Sequence, residues 1–168
     1  RAVGLPDLRS MNIVVGPDGA PWITDSGLNA IVRVDPKTDS VKVFPLPKGT
    51  PNTNLNTATF DKAGILWFTG QVGYYGRLDP KTGKTEVFEA PRGRGPYGIC
   101  TAPDGSVYYA SLAGSHIAHI DTNTGKAMRV APPDLNGLAL SAVICFQGKL
   151  VVVHQVCDHA TIYDPVTQ

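Results

Sequence analysis

Hydrophobic and polar positions alternate in short runs along this chain, and turn-forming residues separate the runs. In the first part of the chain the runs are NIVVGP, APWITD, AIVRVD and SVKVFPL. β-Branched and aromatic residues dominate them, and no helical periodicity lies between them. The pattern predicts short antiparallel strands joined by hairpins.

The strand pattern repeats, and two independent anchor residues keep the same period. The glycine that ends the first hairpin of each unit recurs at intervals of 45, 41 and 43 residues, at Gly19, Gly64, Gly105 and Gly148. An aspartate that follows the third strand recurs at intervals of 44, 42 and 43 residues, at Asp35, Asp79, Asp121 and Asp164. The chain therefore contains four copies of one module.

Hairpins at a fixed period indicate an all-β fold, a β-propeller of four-stranded antiparallel blades. We predict one domain over residues 1–168, with blades at approximately 11–47, 56–91, 97–133 and 140–168 and residues 1–6 as an outer strand. The fourth unit lacks its own outer strand, which the N-terminal segment would supply. Three arrangements satisfy this count: a closed four-bladed ring, half of a larger ring that a homodimer completes, or a segment of a longer propeller.

Two sets of repeated residues are expected to have structural roles. Trp22, Trp67 and Tyr108 share one register, and each is predicted to pack against the next blade. The turn aspartates that follow the third strands are expected to accept backbone N–H groups across their turns rather than to act in catalysis.

Composition narrows the classes of partner. The chain of 168 residues is 42% hydrophobic and 17% charged, and it has no apolar run long enough to span a bilayer, so we expect no membrane partner. Its 15 basic and 14 acidic residues give a net charge of +1, which provides no basic stripe for nucleic acid. No signal peptide is visible. The sequence does not decide between the cytoplasm and, if the chain is processed, the periplasm or the exterior.

We expect Cys100 and Cys145 to be buried free thiols within apolar strands.

Three of the units resemble a known family. They are DGAPWITDSGLNAIVRVDPKTDSVKVFPLP, AGILWFTGQVGYYGRLDPKTGKTEVFEAP and GPYGICTAPDGSVYYASLAGSHIAHIDTNTGK. These units resemble the blades of the virginiamycin B lyase (streptogramin lyase) family, whose members are seven-bladed propellers. The likeness is strong over residues 11–133. The resemblance implies a lyase that opens a cyclic depsipeptide antibiotic at its ester by elimination. In that chemistry a histidine acts as base and Mg²⁺ polarises the ester carbonyl.

The family's functional positions are filled differently in this chain. The histidine position, eight residues before each hairpin glycine, holds Met11, Asn56, Tyr97 and Leu140. The family's carboxylate position holds Asp25, Gly70, Ser111 and His154. The catalytic residues therefore stay unassigned: either the catalytic blades are missing from this chain, or the chain does not carry out this reaction. One alternative is a non-catalytic scaffold that binds a small molecule or peptide. Another is a metal-assisted hydrolase of the lactonase kind, which would need several carboxylates that converge on the propeller axis.

One face of the propeller collects polar side chains, because the segment that begins each blade and the loop between its second and third strands share that face. We call this face the mouth. The predicted ligand-binding residues there are Asp25, Asn29, Asn54, Asn56, Gln71, Arg94, Tyr97, Ser111, Ser115, His116, Asn136, His154 and Asp158. Amide, hydroxyl and phenol groups suit the recognition of amides or sugars, and such a pocket is the default binding site.

A short segment near the C-terminus has spacing that resembles a metal site. His154, Cys157 and His159 lie within HQVCDH, and zinc takes three or four nitrogen, sulfur or oxygen ligands. Side chains on a tight loop between two strands alternate in direction, so they are weak candidates for metal ligands.

Overall fold

The computed structural model describes residues 9–130, 139–155 and 160–167. In these ranges the chain forms fifteen strands and no helix, grouped into four antiparallel sheets. No helix in the described ranges could cross a membrane. The predicted outer strand at residues 1–6 lies outside the described residues.

Each sheet is one blade, and its strands follow one another in chain order. The first blade contains β1 (Ser10–Val15), β2 (Pro21–Asp25), β3 (Ala30–Val34) and β4 (Val41–Pro45). The second contains β5 (Leu55–Phe60), β6 (Leu66–Gly70), β7 (Tyr74–Leu78) and β8 (Thr85–Glu89). The third contains β9 (Pro96–Thr101), β10 (Val107–Ser111), β11 (His116–Ile120) and β12 (Ala127–Val130). The fourth contains β13 (Leu140–Phe146), β14 (Lys149–His154) and β15 (Ala160–Tyr163).

The first strands of the blades lie side by side, with β5 between β1 and β9, and β9 between β5 and β13. They are therefore the innermost strands of a radial array, and the predicted β-propeller fold is confirmed.

The hydrophobic core lies between blades rather than within any of them. Trp22 is buried against its own blade and the next, with its ring 5.4 Å from that of Phe44 and 5.7 Å from that of Phe60 in the second blade. Trp67 is fully buried in the cluster that contains Ile99 and Val107 of the third blade.

Tyr108 continues the series between the third and fourth blades. It belongs to the buried cluster that contains Val143 and Leu150 of the fourth blade. The predicted packing of the three aromatic residues is thus confirmed.

An aspartate in the first hairpin fixes each tryptophan. Asp18 accepts a hydrogen bond from the Trp22 indole nitrogen at 3.1 Å, and Asp61 accepts one from the Trp67 indole nitrogen at 2.8 Å. The same carboxylates also bind backbone N–H groups of their own turns, as Asp61 does with Ile65 at 2.9 Å. The turn therefore positions the side chain that fills the gap between blades, a role that sequence analysis did not assign.

The turn aspartates after the third strands have the structural role predicted for them. Asp35 accepts hydrogen bonds from the backbone nitrogens of Lys37 and Thr38, at 2.9 and 3.1 Å. These bonds hold the pKa of Asp35 below its ordinary value. Asp79 and Asp121 make the equivalent bonds in the second and third blades.

The expectation of free thiols at Cys100 and Cys145 is wrong, because the two residues form a disulfide with a Cα–Cα distance of 5.7 Å. Cys100 lies on β9 and Cys145 on β13, which are neighbouring innermost strands. The bond therefore joins two blades, and the pairing depends on blade stacking, which residue spacing alone does not reveal. Disulfides persist mainly in oxidising compartments.

Removing the Trp67 side chain should destabilise the fold strongly. Trp67→Ala leaves a cavity between two blades and an unpaired Asp61 carboxylate oxygen, so we expect a loss of about 3–5 kcal/mol in the free energy of unfolding, measured by urea denaturation. Met128→Ala, at an exposed position on β12, is the control and should change stability by less than about 0.5 kcal/mol. Equal effects of the two substitutions would contradict packing between blades as the main source of stability.

Reduction of the disulfide should also lower stability. The bond closes a sequence separation of 45 residues, so its loss should cost on the order of 4 kcal/mol. The melting temperature with and without a phosphine reductant measures this effect. The double variant Cys100→Ser/Cys145→Ser is the control and should not respond to the reductant. A wild-type protein whose melting temperature ignores the reductant would argue against the bond.

Candidate functional site

The strand register brings one end of every blade to the mouth. Asp25 at the end of β2 pairs with Ser10 on β1 and Ala30 on β3. The equivalent last residues of the second strands pair with the starts of β5, β9 and β13; they are Gly70, Ser111 and His154. These four positions therefore lie on the same face, as the repeat predicted.

Each innermost strand is irregular at the mouth. The register shifts between Ser10 and Asn12 on β1, and between Leu55 and Ala58 on β5. The same irregularity occurs at the beginning of β9, and again on β13 between Leu140 and Ala142. Bulges of this kind re-aim side chains and are common next to active sites. In the first three blades the shifts enclose the family's histidine position, at Met11, Asn56 and Tyr97. In the fourth blade the shift follows Leu140 and encloses Ser141. The alternation of the sequence did not indicate these shifts.

Two buried polar atoms without partners lie on adjacent blades at the mouth. Asp25 is fully buried; its Oδ1 accepts the Leu28 N–H at 2.7 Å, and its Oδ2 has no hydrogen-bond partner among the described residues. The side chain of Asn56 is buried as well, and its Nδ2 has no partner within those residues.

We call these two side chains the Asp25–Asn56 pair. The Thr24 hydroxyl donates a hydrogen bond to the Asn56 backbone oxygen and so joins the two blades beside the pair. An unsatisfied buried polar group is costly, so the unpaired acceptor and donor of this pair are candidate contacts for a ligand.

Other predicted mouth residues bind one another and hold the loops. Asn29 Oδ1 accepts hydrogen bonds from the backbone nitrogen and the hydroxyl of Thr53, at 3.0 and 2.8 Å. Asn54 donates to Gln71 Oε1 at 2.7 Å. Three of the predicted amides thus connect neighbouring loops. Thr53, which is buried, was missed by sequence analysis because its partner lies in another blade.

The backbone of Tyr97 joins the third blade to the second. Its backbone oxygen accepts hydrogen bonds from the hydroxyls of Thr57 and Thr69 in the preceding blade, in the way that Asn56 accepts one from Thr24. The Tyr97 side chain is half-buried, and Arg94 is exposed. The backbone of Tyr97 is therefore structural.

His116 is buried beneath the third-blade loop. Its Nδ1 lies 3.1 Å from the Gly114 oxygen and donates to it, while its Nε2 has no partner among the described residues. Ser111 Oγ accepts the Gly114 N–H at 3.2 Å in the same loop. Burial lowers the pKa of His116, because the charged ring would lose its hydration. The ring is therefore held neutral near pH 7.

Of the three metal candidates, His154 is the one that lies within the described residues. His154 is buried, and its Nε2 lies 2.8 Å from the Thr161 hydroxyl. Cys157 and His159 lie outside the described residues, as do the predicted mouth residues Asn136 and Asp158. No group of three His, Cys, Asp or Glu side chains within the described ranges could hold a metal ion.

The Mg²⁺ that the resemblance implies has a poor fit to this mouth. Among its described predicted residues, Asp25 is the one carboxylate, and one of its oxygens already binds the Leu28 N–H. Magnesium prefers six oxygen ligands and commonly one or two carboxylates. Within the described residues, Asp25 Oδ2 is thus the one mouth carboxylate oxygen left for a magnesium ion, and no second carboxylate of the described mouth supports it.

Comparison with known proteins gives a family match over most of the chain. The sequence profile of the virginiamycin B lyase family matches residues 2–154. A segment of 61 residues is 41% identical to a gluconolactonase of Zymomonas mobilis, covering 36% of this chain and 17% of that protein.

Solved structures share the fold. A catalytically inactive virginiamycin B lyase from Staphylococcus aureus with quinupristin has a TM-score of 0.76 at 22% identity, covering 96% of this chain and 57% of that one. A putative gluconolactonase has a TM-score of 0.73 at 15% identity, covering 95% of this chain and 61% of that one. This chain thus spans less than two thirds of each of these proteins, and at such identities the likeness concerns the fold alone.

The buried neutral His116 should make the fold sensitive to acid. The unfolded chain protonates this ring near its ordinary pKa of 6.5, whereas the folded chain does so only at lower pH. The stability due to the neutral ring is therefore complete above the ordinary pKa of 6.5 and is lost as the pH falls from there through the lowered pKa of the folded state.

We expect His116→Gln to reduce the fall in melting temperature between about pH 7.5 and about pH 5. Met128→Gln, at an exposed position on β12, is the control, because it removes no titratable group and should keep the wild-type dependence. An unchanged pH profile in His116→Gln would show that the ring does not titrate in this way.

Proposed function

The chain belongs to the virginiamycin B lyase family, and from that premise we propose that its mouth binds a cyclic peptide through the Asp25–Asn56 pair. We further propose that the described mouth does not itself supply the base that removes a proton in the family's elimination. The observation that carries the proposal is the buried, unpartnered acceptor and donor on adjacent blades.

The chemistry of the pair suits an amide ligand. A peptide group offers one N–H donor and one C=O acceptor, and a cyclic peptide presents several of them without a free terminus. Asp25 Oδ2 can accept such an N–H, and Asn56 Nδ2 can donate to such a carbonyl. Binding would satisfy two groups that are otherwise buried without partners, so the site should discriminate against ligands that lack them.

The residues at the family's histidine position support the second half of the proposal. Met11 and Leu140 carry no titratable group, and the Asn56 amide does not accept a proton near neutral pH. Tyr97, the fourth of these residues, carries a half-buried phenol in place of the imidazole. A general base must hold a free lone pair within reach of the proton that it removes. These blades would therefore bind and orient the ester. A base located elsewhere would take the proton that the elimination removes, and the ester C–O bond would break to release the carboxylate.

Quinupristin is the probe that we would use for binding, measured by titration calorimetry. Asn56→Ala removes the donor but keeps the backbone oxygen that joins the blades, so we expect affinity to fall about tenfold. Asp25→Asn keeps an oxygen for the Leu28 N–H while replacing the acceptor, and it should weaken binding similarly. Asn123→Ala is the matched control, because that exposed amide lies in the turn after β11, at the end of the blade away from the mouth. Equal affinity for wild type and Asn56→Ala would refute the site.

Mass spectrometry of the same mixture, with added Mg²⁺ or with EDTA, tests for chemistry. We expect quinupristin to be recovered in its cyclic form. A linear product of unchanged mass would show elimination and overturn the proposal that these blades lack the base. A product heavier by one water would instead indicate hydrolysis of the lactonase type.

A further inference from the structure

The face of the propeller opposite the mouth carries two kinds of turn, one between the first and second strands of a blade and one between the third and fourth. Each first strand begins at the mouth, as β1 does at Ser10, and ends at this other face, where Val15 pairs with Pro21. The third strands run in the same direction, so Leu78 at the end of β7 lies there as well. We call this face the back face.

A cavity of about 410 Å³ lies on the back face between the first and second blades. The first hairpin of each of these blades and the turn after β7 form its walls. Six of its nine lining residues are apolar rings or lysines: Pro17, Trp22, Phe60, Lys62, Pro80 and Lys81. We call this cavity the back groove.

The apolar part of the back groove is made of rings. Trp22 and Phe60 meet edge to face, with their centroids 5.7 Å apart. Phe60 and Pro80 are half-buried, so part of each ring is open to the cavity, and Pro17 is exposed at its edge. Such rings offer a rigid apolar surface, which suits a flat apolar ligand.

The carboxylates around the groove already have partners. Asp18, which also lines it, binds Arg33 Nε at 2.7 Å and the Trp22 indole nitrogen at 3.1 Å. Asp61 and Asp79 lie beside the lysines in the two turns of the second blade, and each accepts a backbone N–H of its own turn at 2.9 Å.

Two lysine ammonium groups therefore determine the charge of the back groove. Lys62 and Lys81 are exposed, and neither forms an ion pair with a carboxylate of the described residues. A carboxylate is the group that an ammonium pairs with most directly in proteins. The groove thus combines a flat apolar surface with positive charge.

The next junction has a cavity at the same place with different chemistry. It lies between the second and third blades and has a volume of about 330 Å³. In the repeat, Thr101 stands in the place of Phe60, and Thr122 stands in the place of Pro80. Its charged lining residues are two carboxylates and one lysine: Asp61, Asp104 and Lys62. Packing between blades therefore does not require the apolar, positive lining of the back groove.

We propose that the back groove binds a small aromatic carboxylate, with the ring against Phe60 and Pro80 and the carboxylate paired with Lys62 and Lys81. The cavity volume lies within the range of about 300–1,000 Å³ that is typical of small-molecule sites. Its nine lining residues are far fewer than the roughly 20–30 residues a side of a protein interface, which favours a small molecule. The site lies on the opposite face from the Asp25–Asn56 pair and does not depend on the function proposed for that pair.

NMR titration with 2-naphthoate, which joins a flat double ring to one carboxylate, tests the site. The chain has two tryptophans, and their indole N–H signals report on different cavities. The Trp22 indole binds Asp18 of the back groove, whereas the Trp67 indole binds Asp61 of the second cavity. We expect 2-naphthoate to shift the Trp22 signal until it saturates and to leave the Trp67 signal in place. The spectrum of Trp67→Phe assigns the two signals.

Charge variants test the two lysines. Lys81→Gln and Lys62→Gln should each weaken 2-naphthoate binding about threefold, and together about tenfold, because each removes one exposed ion pair. Lys37→Gln is the matched control, since Lys37 has the place of Lys81 in the first-blade turn but does not line the groove. Asn56→Ala should also bind 2-naphthoate like the wild type, which separates this site from the mouth.

Three results would overturn the proposal. The first is a Trp22 signal that does not respond to 2-naphthoate at concentrations up to about 5 mM, which corresponds to no useful affinity. The second is equal affinity of the wild type and the double lysine variant, which would leave the positive charge without a role. The third is a shift confined to the Trp67 signal, which would place the ligand in the second cavity.

Discussion

The packing of one blade against the next is the interaction on which the rest of this structure depends. A four-stranded sheet of short strands has two apolar faces and cannot bury them alone. Each junction is filled by a large side chain in one register, and Asp18 and Asp61 hold the indole nitrogens of Trp22 and Trp67 from the first hairpin. A local turn thus determines where a non-local contact forms.

The fourth blade shows what happens when that arrangement changes. Val151 replaces the aromatic residue, and Tyr108 supplies the ring for the junction with the third blade. At this junction the Cys100–Cys145 disulfide adds a covalent link between innermost strands.

The mouth combines structural and free polar groups. Asn29, Asn54 and Gln71 are used in joining loops, and the backbone oxygens of Asn56 and Tyr97 accept threonine hydroxyls from preceding blades. These bonds hold the innermost strands together at the end where their registers shift. They leave two buried atoms of the Asp25–Asn56 pair, Asp25 Oδ2 and Asn56 Nδ2, without partners among the described residues, and this contrast distinguishes a candidate ligand contact from a loop contact.

The sequence by itself determined the module, its period, the propeller fold, the register of Trp22, Trp67 and Tyr108, and the role of the turn aspartates. These features follow from alternation along one strand and from turn chemistry, which act over a few residues. Only the tertiary structure decided the pairing of Cys100 with Cys145, the contact of Asn29 with Thr53, the bulges at the mouth and the burial of His116. Each of these depends on contacts between strands, loops or blades that lie far apart in the chain, and the repeat shows which residues recur but not which partner each one meets across such a contact.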